Sequence, residues 1–341
     1  MLNITILAIE SSCDETSAAV ISNGKVLNNI IASQSVHEKY GGVVPELASR
    51  AHQKNIVAVV DAALKEANVE PKDLTAIGFT RGPGLMGSLL VGVSFAKAMA
   101  MSLDIPMIDV NHMHAHILAH FIQTPEKEKE IPSFPFLCLT VSGGHTQLIL
   151  VNDFLEFKIL GQTKDDAVGE AFDKGAKMLG LPYPGGPLID KHSALGNAKK
   201  FLFPSAQVDG YDFSFSGIKT SLLYLIRDGV KENPDFITQN INDICASYQH
   251  RLIKMLMAKL IKASKEYEIK NIAIAGGVAA NSGLRQALQK EGEQNNWKVF
   301  IPEFQYCTDN AAMIAITAHY KFLKKDFCRL NVVPIAGFSD Y

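Results

Sequence analysis

Apolar residues fall into short runs separated by polar turns, and the runs recur in the same order in both halves of the chain. Residues 4–9 (Ile-Thr-Ile-Leu-Ala-Ile) read as a buried strand, followed by a polar turn at Glu10–Glu15 and a second apolar run over Ser17–Ile21. Asn23-Gly24 is a strong two-residue hairpin turn, after which Lys25–Ala32 predicts a third strand. Helical periodicity covers Pro45–Ala67, with Pro45 suited to the first turn. Ala76–Thr80 is a further strand, and Gly87–Met101 a helix whose small residues suit close packing on a sheet. The predicted order is three strands, helix, strand, helix.

That order returns after residue 135. Phe136–Val141 and Thr146–Val151 are apolar runs joined by the polar turn Ser142-Gly143-Gly144-His145, and Phe157–Leu160 predicts a third strand. Helices are expected over Asp166–Leu179 and Phe236–Tyr267, a strand over Asn271–Ala275 and a helix over Val278–Lys290. Repetition at this scale implies duplication of a whole domain, with a cleft between the halves. Residues 181–217 interrupt the second copy. Their glycines, prolines and serines exclude a continuous helix or a central strand, so they suit either a surface excursion or the wall of a site.

Composition narrows the class. A chain of 341 residues with 47% hydrophobic and 20% charged residues has a large core and room for two domains. The formal net charge of -2 offers no general attraction for nucleic acid, so any such contact must be local or shared with a partner. Five scattered cysteines (Cys13, Cys138, Cys245, Cys307, Cys328) include no Cys-x-x-Cys pair, which argues for a reducing compartment and for buried structural thiols. The apolar N-terminus lacks a basic leader, and no run approaches the ~18 apolar residues of a spanning helix. A soluble, cytoplasmic protein is expected. The charged stretch Glu126–Glu130 reads as a solvated loop.

Chemistry concentrates in a few places. His112 and His116, four apart in Asn111-His112-Met113-His114-Ala115-His116, project from one helix face and can share a metal ion. They equally suit a polar helix face, which His120 continues. Zinc peptidases carry a Glu directly after the first His; Met113 stands there, so the helix is not built to activate water. Asp309, at a helix start, suits either a cap or the carboxylate of a mixed nitrogen and oxygen metal site. The glycines of Ser142-Gly143-Gly144-His145-Thr146 suit an anion nest with positive φ. Gly276-Gly277-Val278-Ala279-Ala280-Asn281 follows a strand and opens a helix, a setting for a nucleotide. Asp165, Asp166, Glu170 and Asp173 complement a helix dipole, and Asp173, seven residues after Asp166, also suits a ribose or metal.

Taken together, these stretches resemble the bacterial tRNA adenosine threonylcarbamoyltransferase family, earlier labelled O-sialoglycoprotein endopeptidase. The resemblance rests on Ile9–Thr16, Arg81-Gly82-Pro83-Gly84, Asn111–His116, Val141–Thr146, Gly169–Lys174, Gly276–Asn281 and Asp309-Asn310, in order along nearly the whole chain. It implies an α/β, actin/hexokinase-like ATPase fold of two duplicated ribonuclease H-like domains. These are expected over residues 1–115 and 116–325, the latter carrying the insertion 181–217, with the tail 326–341 packing back on the first.

The resemblance also implies the activity: transfer of a threonylcarbamoyl group from threonylcarbamoyl-adenylate to N6 of adenosine 37 in tRNAs reading codons that begin with adenine, with release of AMP. By position, His112, His116 and Asp309 are implied to bind one divalent metal, iron(II) ahead of zinc. Thr140, Val141, Ser142, Gly143, Gly144, Asp173, Gly186, Asp190 and Asn281 are implied to bind the adenylate, which places the insertion at the site. The implied partners are tRNA, an adenylate synthase, a paralogous ribonuclease H-like subunit and a small P-loop-type ATPase, with no membrane. Rival readings are a sugar or acid kinase of the same superfamily, which leaves the two histidines and Asp309 without a purpose, a metallopeptidase, which Met113 opposes, and a nucleotide-sensing scaffold without transfer activity.

Overall fold

In the computed structural model, residues 3–34, 37, 40–204 and 208–337 are described. Strands β1 (Thr5–Glu10) and β2 (Thr16–Ser22) pair antiparallel. Asn23 and Gly24 turn the chain with φ of 48° and 82°, the two positive values that a tight hairpin demands. The single strand expected over Lys25–Ala32 is instead two, β3 (Lys25–Val26) and β4 (Ile30–Ala32), both paired with β2. Asn28 breaks it: its Oδ1 accepts from Val20 N (3.0 Å) and its Nδ2 donates to Ala63 O (2.6 Å), so a side chain replaces the backbone ladder there.

Helix α1 (Pro45–Glu66), strand β5 (Ala76–Gly82) and helix α2 (Met86–Leu103) follow as predicted in kind and order. Strand β6 (Met107–Asn111) and helix α3 (His112–Leu118) come next. The second copy supplies β7 (Phe136–Val141), β8 (Thr146–Asp153), β9 (Glu156–Gln162) and α4 (Val168–Met178). The insertion contributes α5 (Gly185–Ser193), and α6 (Ser216–Glu232) and α7 (Phe236–Glu266) follow it. Then come β10 (Asn271–Ala275), α8 (Ser282–Asn295), β11 (Lys298–Phe300) and α9 (Ala311–Leu323). Elements β6, α5, α6 and β11 are additional to the predicted order, and α9 is the helix expected to start at Asp309. Helix α8 starts four residues later than predicted because Asn281 is its cap, accepting from Leu284 N.

The two sheets have the same topology. The first runs β3-β2-β1-β5-β6 and the second β9-β8-β7-β10-β11. In the first, β1 is central, antiparallel to β2 and parallel to β5, with β4 as a sixth strand on β2; in the second, β7 is central, antiparallel to β8 and parallel to β10. In the first unit the alternation of side chains sets two layers. Leu7, Ile9, Val20, Ile77 and Phe79 face a core shared with Val59 and Val60 of α1 and Val93 and Ala96 of α2. On the other face α9 lies so close that a Cβ on Gly78 would stand 2.7 Å from that of Ala318, beside Ile6 and Ala8.

The domain boundaries differ from those expected. One unit comprises residues 1–132, 153–157 and 302–341, the other 133–152 and 158–301. The expected cuts at 115 and 325 fail for a packing reason. Helix α9 covers the open face of the first sheet, and Phe154, at the turn between β8 and β9, stacks on Tyr320 of that helix (centroids 3.7 Å apart). The tail belongs to the same unit as β5 and β6: Cys328 N donates to Met107 O and Arg81 Nε to Val333 O. Residues 205–207 of the insertion and 338–341 of the tail lie outside the described residues.

Helix α2 also corrects the reading of apolar runs. With 18 residues, a mean hydropathy of 1.5 and Lys97 as its single charge, it is long and apolar enough to cross a membrane by length and composition. Here its small-residue face is packed: Ser88, Val93, Ala96 and Ala100 are buried, and Gly92 sits where a Cβ would meet Ser11 Oγ at 2.3 Å.

Candidate metal centre and nucleotide loops

Helix α3 starts where β6 ends, and the side chain of Asn111 fixes that start by accepting from Met113 N (2.8 Å) and His114 N (3.2 Å). The cap sets His112 and His116 one turn apart with rings edge to face at 86°. Their Nε2 atoms approach to 3.2 Å, and Asp309 Oδ1 lies 3.3 Å from the first and 3.2 Å from the second. Both histidines are buried. Asn310, not Asp309, caps α9 by accepting from Met313 N (3.1 Å), which resolves the open role of Asp309 and leaves its carboxylate to the histidines.

Glu10, at the end of β1, completes this centre from behind. Its Oε2 is 3.1 Å from His112 Nδ1 and accepts from Thr80 Oγ1 at 2.6 Å, while Oε1 accepts from Ser12 N at 2.5 Å. The sequence reading placed Glu10 in a motif without giving it a role; a carboxylate at the end of a wholly buried strand was the available signal. Burial pushes the Glu10 carboxyl up, but the His112 imidazole and its hydrogen bonds prevail and the net shift is downward. Burial depresses His112, yet the charges of Asp309 and Glu10 raise it well above an ordinary imidazole. Asp309 is likewise held far below the usual carboxylate range, against the effect of burial, by His112 and His116.

These groups fit a divalent metal. Two imidazole nitrogens and a carboxylate oxygen converge on one point, and the carboxylates of buried Glu10 and partly buried Asp309 call for positive charge there. The donor set suits iron(II) or zinc. Among the described residues this is the one cluster of three such ligands. His114 and His120 stand outside it. Burial, followed by the charges of Asp14 and Asp309, pushes the Cys13 thiol far up. Glu15 is pushed up to about 9 by burial and then by the charges of Asp309 and Asp14. All five cysteines are free; three are buried, and Cys13 and Cys328 only half so.

His114 stacks on Phe157 with centroids 3.9 Å apart, and burial, followed by the Lys321 charge, pushes its imidazole down to about 3. The unfolded chain therefore takes up a proton near pH 6.5 that the folded chain refuses until about pH 3, so stability falls as pH drops through this window. For this half-buried ring the loss is at most about 1 kcal/mol at pH 5.5. Melting temperatures between pH 7 and 5 should drop less for His114→Phe, which keeps the stack, than for the native chain. Parallel curves would contradict this.

In the second unit the turn after β7 is closed by Ser142 N to His145 O (2.8 Å) and His145 N to Ser142 Oγ (3.0 Å). Neither Gly143 nor Gly144 has positive φ, contrary to expectation. What they provide is open space, since a Cβ on either would meet nothing within 4 Å. The obligatory glycine is Gly276, with φ of 90° and a virtual Cβ 2.4 Å from Val141 O, so the two predicted loops touch there.

Asp173 Oδ1 accepts from Gly185 N (2.8 Å) and Gly186 N (3.2 Å), bringing two predicted site residues together at the start of α5. Burial raises its carboxyl despite those bonds. Asp190 of α5 accepts from Ser282 N through Oδ2 (2.8 Å), which joins the insertion to the Gly276–Asn281 loop. Thr140 and Val141 are buried beneath the turn. Asp166 and Asp165 are structural: the first is paired with Lys174 and Lys219, and the second holds Phe215 N and Ser214 Oγ.

Two units with the same five-strand order define an actin/hexokinase-like ATPase fold, here carrying a buried centre of two histidines and an aspartate. The likeness extends to solved structures. HypF of T. kodakarensis matches with a TM-score of 0.61 at 14% identity over 95% of this chain and 48% of its own. Component A of the Acidaminococcus fermentans (R)-2-hydroxyglutaryl-CoA dehydratase matches with a TM-score of 0.52 at 14% identity, over 93% of this chain and 98% of its own.

Sequence comparison is more specific. The model of the tRNA N6-adenosine threonylcarbamoyltransferase family matches residues 25–316. Proteins of that name from Christiangramia forsetii and Porphyromonas gingivalis are 60% and 57% identical, covering 98% and 99% of both chains. The chain belongs to the tRNA N6-adenosine threonylcarbamoyltransferase family. It is a transferase that modifies the N6 amine of adenosine in tRNA, and the kinase, peptidase and scaffold readings fall away.

Proposed function

We propose that the donor is threonylcarbamoyl-adenylate and the acceptor adenosine 37 of tRNAs reading codons that begin with adenine, with AMP as the leaving group. His112, His116 and Asp309 hold a divalent metal, iron(II) ahead of zinc. The turn Thr140–Gly144, with Asp173, Gly186, Asp190 and Asn281, binds the adenylate. The observation that carries this reading is the convergence of His112 Nε2, His116 Nε2 and Asp309 Oδ1 within 4.8 Å of one another.

The chemistry follows from the reactants. An exocyclic adenine amine is a poor nucleophile, so the carbamoyl carbon must arrive activated, and a mixed anhydride with AMP supplies that activation. The amine nitrogen bonds to the carbamoyl carbon, the bond from that carbon to the phosphate oxygen breaks, AMP leaves with the electron pair, and the amine loses a proton. A bound cation supplies Lewis acidity and a template for substrate oxygens. The chain's own residues do the rest. Glu10 fixes the His112 ring and its tautomer. The space left open at Gly143, Gly144 and Gly277 lets a phosphate approach the backbone closely. Met113, buried, stands where zinc peptidases carry the glutamate that deprotonates water, so helix α3 offers no such base and the donor is spared that route to hydrolysis.

Asn281→Ala should weaken binding of a non-hydrolysable adenylate analogue by about 1–3 kcal/mol, the cost of a lost buried hydrogen bond. Unchanged affinity in calorimetry would remove Asn281 from the site.

The partners follow from what the chain lacks. A net charge of -2 gives little general pull on tRNA. An adenylate synthase, a paralogous ribonuclease H-like subunit and a small P-loop-type ATPase are the proposed helpers, in the cytoplasm. Val57 of α1 with Met86, Leu90 and Met101 of α2 expose apolar surface, which supports docking of the paralogue there. Multiple-turnover modification should need the whole set; the same rate from this chain plus the synthase alone would refute that need.

A further inference from the structure

The side chain of Gln249 joins two residues that its own segment gave no reason to connect. It lies on α7, 6% exposed. Its Nε2 donates to Asp190 Oδ1 at 2.9 Å, and its Oε1 accepts from Asn281 Nδ2 at 2.7 Å. The polarity of this chain of bonds has one solution. Asn281 Oδ1 is committed to Leu284 N (2.9 Å), a backbone donor that cannot reverse. Nδ2 must then be the donor, so Gln249 must turn its oxygen to Asn281 and its nitrogen to Asp190. Asp190 is also held by Ser282, whose N–H donates to Oδ2 at 2.8 Å and whose Oγ donates to Oδ1 at 2.9 Å. Space is reserved for the bridge: a Cβ on Gly283 would stand 2.7 Å from Gln249 Nε2.

We propose that Gln249 is a positioning residue for the nucleotide end of the donor. It accepts one Asn281 N–H and leaves the other for the ligand, and it fixes the Asp190 carboxylate with Oδ2 still able to accept. Neither effect requires Gln249 to touch the ligand. The inference rests on the reading that Asp190 and Asn281 bind the adenylate. Leucine at 249 would leave Asn281 Nδ2 without its acceptor and Asp190 without a donor. Glutamate would keep the first bond but oppose two carboxylates about 3 Å apart.

The test is calorimetric titration of the full chain with AMP, with thermal melting as a control for folding. Gln249→Leu should weaken AMP binding about tenfold, and Gln249→Glu at least as much, at unchanged stoichiometry. Gly283→Ala keeps all three polar side chains but crowds the amide, and it should weaken binding in the same direction if either Gln249 variant fails to fold. Mere structural damage would instead lower the stoichiometry and leave the affinity of the folded fraction unchanged. That result, or native affinity in any folded variant, overturns the proposal. Asn281→Ala separates the two levels: if it binds AMP as the native chain does, the site reading fails and this inference with it. If it binds weakly while the Gln249 variants bind normally, only the role of Gln249 is refuted.

Discussion

Alanine at His112, His116 or Asp309 is expected to strip the bound metal and lower transfer by more than about 100-fold, beyond the effect of changing an outer-shell partner. Each variant removes one of three donors that converge within 4.8 Å, and two are too few to hold a divalent ion against water and chelators. His114→Ala, whose ring stacks on Phe157 outside the cluster, should retain full metal content and transfer. Elemental analysis of the purified variants makes the comparison, and full metal in a His112/His116 double variant would mean that the ion binds elsewhere.

The second large effect is expected at Glu10. Glu10→Gln keeps the size and burial of the side chain but removes the charge that His112 Nδ1 faces at 3.1 Å. An outer-shell carboxylate of this kind orients the ligating imidazole and raises its basicity, so metal affinity should fall about 10–100-fold. Competition against a chromogenic chelator measures it. Native affinity in this variant would reduce Glu10 to a structural anchor for Ser12 and Thr80.

Helical spacing was enough to pair His112 with His116, because α3 is capped by its own neighbour Asn111 and needs nothing distant. Asp309 is 193 positions from His116, and no local pattern separates a metal carboxylate from a cap. Position by position it came from the resemblance, and the structure shows why the cap was available elsewhere, in Asn310. Gln249 carried no local signal of its role, since its partners lie 59 and 32 positions away, and Glu10 carried only that of a carboxylate closing a buried strand.

The duplicated order of strands and helices was legible because each copy's central strand is buried throughout and therefore mostly apolar. The domain limits were not, because α9 and the turn at 153–157 join the first unit through contacts that sequence order does not reveal. The break at Asn28 and the glycine roles show the same limit. Composition marks Gly143, Gly144 and Gly276 alike, yet only Gly276 needs positive φ.

On the proposed function, this chain carries a threonylcarbamoyl group to tRNA through the His112, His116 and Asp309 centre. Mass-spectrometric nucleoside analysis of tRNA tests it, after incubation with the chain, the three helper proteins, threonine, bicarbonate and ATP. N6-threonylcarbamoyladenosine should accumulate with the native chain and be lost with the His112/His116 double alanine variant. Equal accumulation with both, or none with the native chain in the complete mixture, would contradict it.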